Sequence, residues 1–344
     1  MSRAETGETG QTAEAGEVAE AGEAGAIGEA GAIGEAGDAA GAVRVAGAVQ
    51  ARSGLGPRPL WTLGPRSLWT LGLLRSELRT TFRRWRTLAL LGVLAAVPVL
   101  VGVAVRIETG DGSPAGGGGG QGPAFISQIT NNGLFLVFTA LAATLPFFLP
   151  MAVGVVAGDA IAGEANAGTL RYLLVAPAGR TRLLLTKYAA VLAFCLAATL
   201  VVAVSALAVG ALLFPLGDLT TISGTRIGLG EGMGRALLIA LAVAASLTGV
   251  AALGLFVSTL TGSGIAAMAT TVGLVITVQI LDQIPQLDAL QPYFFSHYWM
   301  SFADLMREPV YWDDLERNLG LQALYAAVFG SAAWARFTAK DITT

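Results

Sequence analysis

A chain of 344 residues in which 54% are hydrophobic and only 13% are charged is a membrane protein by composition, and an ordinary soluble enzyme is excluded on that ground. The formal net charge of −3 averages two unlike parts: residues 1–50 hold nine of the 24 acidic groups but only Arg3 and Arg44 of the 21 basic ones, which leaves 19 basic against 15 acidic residues, or +4, in the remainder. With Cys195 the sole cysteine and His297 the sole histidine, an intramolecular disulfide is impossible and a Cys/His metal cage lacks ligands.

Residues 1–57 are rich in Gly, Ala and Glu and repeat the hexamer G-E-A-G-A-I at Gly22–Ile27 and Gly28–Ile33. So few large apolar residues cannot offset the entropy of ordering, and the expectation is a disordered acidic tail without the compact apolar region of a signal peptide. Residues 58–72 read as a Pro/Trp linker, the end of a second duplication, G-P-R-P-L-W-T-L at Gly56–Leu63 and G-P-R-S-L-W-T-L at Gly64–Leu71. From Leu73 the character changes. Leu74, Leu78 and Phe82 fall at i, i+4 and i+8 among Arg75, Arg79, Arg83, Arg84 and Arg86, the pattern of a basic amphipathic helix lying in a headgroup layer with its arginines facing anionic lipid.

The apolar runs that follow predict six transmembrane helices over 87–105, 133–158, 188–216, 236–257, 265–281 and 318–334, an all-α polytopic fold occupying 73–341. Pro146 and Pro150 are expected to bend the second span. Residues 106–132, with Gly116–Gly120, read as a flexible loop, and Ser258–Gly264 as the turn that divides 46 uncharged residues between Arg235 and Asp282 into two helices. None of the spans so drawn contains a carboxylate, which argues against an ion-driven secondary transporter. Residues 282–317 gather Tyr293, Phe294, Phe295, Tyr298, Trp299, Tyr311 and Trp312, and read either as short amphipathic helices at the outer interface or as an outer gate. Cations precede span one and fill the loop between spans two and three, so the positive-inside rule places both termini and that loop in the cytoplasm.

That loop, Glu164–Lys187, carries Arg171, Arg180, Arg182 and Lys187 between two apolar runs. Leu170, Leu173 and Leu174 fall at i, i+3 and i+4, Pro177 ends the short helix they define, and Asp159 or Asn166 is placed to cap it. On spacing alone it is either a loop obeying the positive-inside rule or something more specific.

The pattern E-x-x-x-G-T-L-R-x-L-L-x-x-P-x-x-R-x-x-L-L-x-x-K, formed by Glu164, Gly168, Thr169, Leu170, Arg171, Leu173, Leu174, Pro177, Arg180, Leu183, Leu184 and Lys187, resembles the first cytoplasmic loop of ABC transporter permeases of the type-2 (exporter) class, in their multidrug, bacteriocin and copper-maturation branch. The resemblance covers roughly residues 73–341. It implies an elbow helix before span one, a cytoplasmic coupling helix around Glu164–Leu174 that docks on a separate ATPase subunit, an external element before the last span, and pairing with a second permease copy or paralogue in a bacterial plasma membrane. It also implies that Glu164, Gly168, Thr169, Leu170, Arg171, Leu173, Leu174, Pro177 and Arg180 form the coupling site. Glu164 and Arg171 are then either polar contacts to the ATPase or an intraloop ion pair at i, i+7. Gly168 either permits close backbone approach or ends a turn. No G-x-x-x-x-G-K-[ST] loop occurs, so ATP and magnesium are expected on the partner, with no cofactor, catalytic or metal site on this chain and no nucleic-acid partner. A secondary transporter or channel, or a non-transporting membrane scaffold, are the other function classes.

Overall fold

Apolar segments that have no water to bond with must satisfy their backbone groups internally, which favours helices over isolated strands. The computed structural model, which describes residues 66–110, 124–168 and 179–339, is accordingly dominated by helix. All of these residues belong to one unit, Pro65–Thr344. In chain order its helices are α1 (Arg66–Arg83), α2 (Trp85–Gly110), α3 (Ala124–Asn131), α4 (Phe135–Thr144), α5 (Phe148–Asn166), α6 (Arg180–Leu213), α7 (Leu229–Ser246), α8 (Thr248–Leu260), α9 (Gly264–Asp282) and α10 (Asp313–Ala339). Five stretches are long and apolar enough to cross a membrane: Trp85–Thr109, Phe148–Asn166, Arg180–Leu213, Leu229–Leu260 and Gly264–Asp282.

Several sequence-based boundaries are corrected. Helix α1 starts at Arg66, inside the stretch read as linker, and α2 runs past Arg106 to Gly110. The loop read over 106–132 contains α3; its Gly116–Gly120 run lies outside the described residues, as does the acidic tail. The second span is broken outright, because Pro146 sits in a turn between α4 and α5, whereas Pro150 falls in the first turn of α5, where a missing N–H costs nothing. The chain is not wholly helical. Leu219–Thr220 (β1) pairs antiparallel with Arg226–Ile227 (β2), Leu219 opposite Ile227, in a short hairpin whose turn uses Gly224 at φ +83°.

The segment before α10 contains three 3₁₀ turns, Pro285–Leu287, Gln291–Tyr293 and Trp299–Met306. The first two bury no side chain, but Phe295 and, from the last turn, Trp299, Phe302, Leu305 and Met306 are buried in the main core with Leu134, Leu141, Phe194, Ile239 and Leu247, while Tyr293, Tyr311 and Trp312 stay exposed. The bundle has two distinct ends. At one, Asn132 Nδ2 donates to the Gly217 carbonyl at 2.9 Å and the Ile222 N–H donates to the Met306 carbonyl at 3.0 Å. At the other, Arg180 Nη1 donates to the Thr338 carbonyl at 2.8 Å and Trp334 Nε1 donates to Thr181 Oγ1 at 2.9 Å.

Small residues let the helices approach. Gly154 and Gly158, spaced G-x-x-x-G, turn to α9, and a Cβ added at Gly158 would lie 2.9 Å from the Met268 backbone. Gly234, in α7, has nothing within 4 Å of the corresponding position. Gly158→Ala is therefore expected to destabilise by about 1–3 kcal/mol through overpacking, while Gly234→Ala is neutral or stabilising because alanine favours helix over glycine. Thermal melting of the two detergent-solubilised variants checks the contrast.

Candidate functional site

The end of the bundle that holds Arg180 and Thr338 also gathers the buried charges of the described residues, Asp159, Glu164 and Lys187. Helix α1 presents Leu74, Leu78 and Phe82 half-buried and leaves Arg75, Arg79 and Arg83 exposed, as its i, i+4, i+8 stripe requires. Phe82 packs on Phe194 of α6 with ring centroids 6.4 Å apart. Glu77, the one acid on this basic helix, points inward with that stripe and meets Lys187 of α6, Oε2 to Nζ at 3.2 Å. The same Nζ donates to Glu164 Oε1 near the end of α5 at 2.5 Å. Lys187 is only 3% exposed, so its charge has left water and is held by carboxylates from two other helices.

A second knot lies beside the first. Arg84, at the bend between α1 and α2, and Arg86 in the first turn of α2 both donate to Asp159 Oδ2, at 2.5 and 3.0 Å. Asp159 sits between two glycines: a Cβ at Gly264 would come within 2.6 Å of its Oδ1, and one at Gly163 would collide with the carboxylate. Ser258 Oγ, at the end of α8, accepts from the Ile161 and Ala162 N–H groups at 3.0 and 2.8 Å and holds α8 against α5 one turn further on. Arg84, Arg86 and Lys187 balance Glu77, Asp159 and Glu164, three charges against three. Between them lies a cavity of about 40 Å³, room for two or three waters.

These contacts revise several sequence-based expectations. Asp159 is not a cap of a loop helix but an interior residue of α5, paired with arginines that were expected to face lipid. Because α5 runs eight residues beyond the expected end of span two, it brings Asp159 and Glu164 onto a helix apolar enough to cross a membrane, so the reading of carboxylate-free spans does not hold. Glu164 is buried and bonded to Lys187. Gly168 follows the end of α5: its φ of +69° is the left-handed geometry that follows a helix C-terminus, and among the described residues no atom lies within 4 Å of an added Cβ. Gly179, φ +72°, immediately precedes α6. Arg180 reaches the last turn of α10, where a cation complements the helix dipole. Thr169, Leu170, Arg171, Leu173, Leu174 and Pro177 lie outside the described residues.

Lys187, Asp159, Glu77, Arg84, Arg86 and Ser258 are the members of the cluster that sequence reasoning did not assign to a site. Glu77 carried a signal, as a lone acid among five arginines; nothing in the spacing marked Ser258. Among the described residues no group of three His, Cys, Asp or Glu side chains is placed to hold a metal ion.

Replacing Lys187 with Met strands two carboxylates and is expected to cost about 3–5 kcal/mol, the effect of removing one partner of a buried ion pair. Adding Glu77→Gln and Glu164→Gln to Lys187→Met should recover most of that loss, as neutral groups need no counterion. Unfolding of the single and triple variants in mixed micelles measures both terms.

A family profile whose description reads "Protein of unknown function (DUF2705)" matches residues 122–343. No curated protein matches the chain. The matched stretch takes in every helix from α3 to α10 and both flanks of the 169–178 segment, and it is well over half of the 344 residues: the chain belongs to the DUF2705 family.

Proposed function

We propose that this protein is the permease subunit of an ATP-binding-cassette exporter. In this reading it crosses a bacterial plasma membrane six times with both termini in the cytoplasm, α10 providing the sixth crossing. It works with a second permease copy or paralogue and with separate cytoplasmic ATPase subunits that hold ATP and magnesium. The observation that carries the reading is the way both flanks of the 169–178 segment are fixed. Glu164 on the incoming helix and Lys187 on the outgoing one are bonded to each other, and Lys187 to the helix preceding the first span. A force applied to the segment between Gly168 and Gly179 is therefore delivered to three helices together. That is what a coupling element driven by nucleotide-dependent closure of a partner has to do.

The ion-driven alternative has one observation in its favour, the carboxylates on α5. They are balanced by Arg84, Arg86 and Lys187, however, whereas a proton or cation relay needs a carboxylate that changes partner or charge during transport.

The proposal assigns ATPase docking to Leu170, Leu173 and Leu174. Leu173→Asp or Leu174→Asp places an unpaired charge in an apolar contact, and co-purification of the ATPase should fall by at least tenfold. Arg171→Ala should change it less than about threefold, since an exposed ion pair contributes only about 0–1 kcal/mol. Membrane levels of each variant control for folding. Undiminished ATPase binding and transport in both leucine variants would return the segment to an ordinary positive-inside loop. Topology is checked in a Cys195→Ala background, where Cys at exposed Ala167 should resist an external thiol reagent in intact cells and Cys at exposed Asp218 should react.

A further inference from the structure

At the end of the bundle opposite the charge cluster lies a cavity of about 330 Å³ that the transporter reading does not use. Its walls are the Pro146 turn between α4 and α5, the last turn of α9, and the stretch from Ser296 to Met300. Asp282 joins two of these walls, its Oδ2 accepting from Ser296 Oγ at 3.0 Å and its Oδ1 lying 2.9 Å from His297 Nδ1. Gln279 of α9 and Trp299 of the 3₁₀ turn both line the cavity, and Gln279 Nε2 and Trp299 Nε1 are each covered without any hydrogen-bond partner. Two covered N–H donors from different elements at one cavity are unusual, because a covered donor left unpaired has lost its water without a replacement.

We propose that this cavity binds the carbonyl group of a neutral amphiphile, an ester or amide on an apolar body, with Gln279 and Trp299 as donors. A carbonyl is the group that answers two donors, since its oxygen accepts twice. Charge is disfavoured on both sides: the Asp282 carboxylate in the wall repels an anion, and a cation brings no acceptor. The apolar body is matched at the mouth by Phe147, Ile280 and Met300, all exposed. The volume is that of a small-molecule site and exceeds what a few waters fill. Gln279 is only part-buried and ends in a soft terminal torsion about which its amide reorients at little cost. Such a carbonyl is supplied either by the ester of a phospholipid at the bilayer face or by a free apolar ester or amide. The proposal stands apart from the transporter reading.

The test uses the full chain in ether-linked phosphatidylcholine vesicles, which bring no competing ester, photolabelled with an aryl-diazirine methyl ester or with its alkane analogue lacking the carbonyl. Labelling of the Gln279–Gln283 and Ser296–Met300 peptides is normalised to labelling of α2, whose outer face is exposed to the same probe. The ester should label the site about tenfold more than the alkane, and Gln279→Leu and Trp299→Phe should each reduce ester labelling by about threefold to tenfold. Repeating the experiment in ester-linked phosphatidylcholine identifies the natural source. Ester labelling that falls several-fold there means that phospholipid esters hold the site, and unchanged labelling means that free solutes reach it unopposed. Equal normalised labelling of the wild-type chain by ester and alkane would overturn the proposal, whatever the folding of the variants. So would wild-type labelling of both Gln279→Leu and Trp299→Phe, which would leave a cavity filled by water or acyl chain alone.

Discussion

Lys187 sits in a place where a cation survives only if carboxylates come to it, and three helices are arranged by that requirement. Its four-carbon stem lies along α6 while the ammonium group is covered, so Glu77 from α1 and Glu164 from α5 must both reach the same nitrogen. Once they do, α1 cannot drift off in the headgroup layer and α5 cannot end earlier. Asp159 repeats the logic with the signs reversed, one carboxylate held by two arginines from the α1–α2 junction. The attraction in such a cluster largely offsets desolvation and adds little net stability, but any arrangement that separates the partners leaves a bare charge. The cluster thus selects one geometry far more strongly than it stabilises it.

The rest of the bundle is built to allow that geometry. For Asp159 to be enclosed, α9 must begin almost against it, and Gly163 and Gly264 provide the space that a side chain would take. Gly154 and Gly158 continue the close approach along α9, and Ser258 holds α8 to α5. Stretches at the periphery show the opposite economy: α2 and α9 bury 22% of their apolar windows, against 67% for α7 and α8 taken together. In a membrane those outward faces have lipid or another chain beside them, and their large exposed residues, such as Leu100 and Ile265, carry no penalty there.

How much of this was legible in the sequence depended on range. Patterns that repeat along one helix were readable: the Leu74, Leu78, Phe82 stripe, the apolar runs of α2, α6 and α9, and the polar turn before Gly264 all appear in the structure. What escaped was pairing across more than twenty residues. Asp159 looked like a cap because it stood next to a polar stretch, and only its distant partners Arg84 and Arg86 show that it belongs inside. Boundaries slipped for a related reason. A charged residue reads, in sequence, as the point where a helix leaves the apolar phase, yet α5 carries Asp159 and Glu164 and α6 begins at Arg180, because a charge with a partner no longer has to seek water. Of the candidate coupling residues, Glu164, Gly168 and Arg180 fall in the described structure: Glu164 is bonded to Lys187, Gly168 follows the end of α5 and Arg180 reaches the Thr338 carbonyl.

The same exchange of polar partners accounts for α10, the long helix whose composition is least like that of a span. Helix α7 gives way to α8 at Leu247, φ −93° and ψ −4°, which interrupts the run of backbone bonds in the middle of an apolar stretch. The freed groups are answered from other helices. Gln322 Oε1 accepts from the Gly249 N–H at 3.2 Å, and Tyr188 Oη donates to the Thr248 carbonyl at 3.1 Å. The Gln322 amide nitrogen donates in turn to the Phe295 carbonyl and to Asn318 Oδ1, while Asn318 Nδ2 donates to Ser246 Oγ. Asn318 and Gln322 are thus fully buried polar residues on the inner face of α10, and Leu319, Leu324, Val328 and Trp334 are exposed on its outer faces. Average hydropathy scores both faces alike and so counts against α10 the very residues that mend its neighbour. In the six-span reading proposed above, lipid meets only the outer faces of α10, so a helix polar toward a broken partner and apolar outward meets the same requirement as a uniformly apolar one.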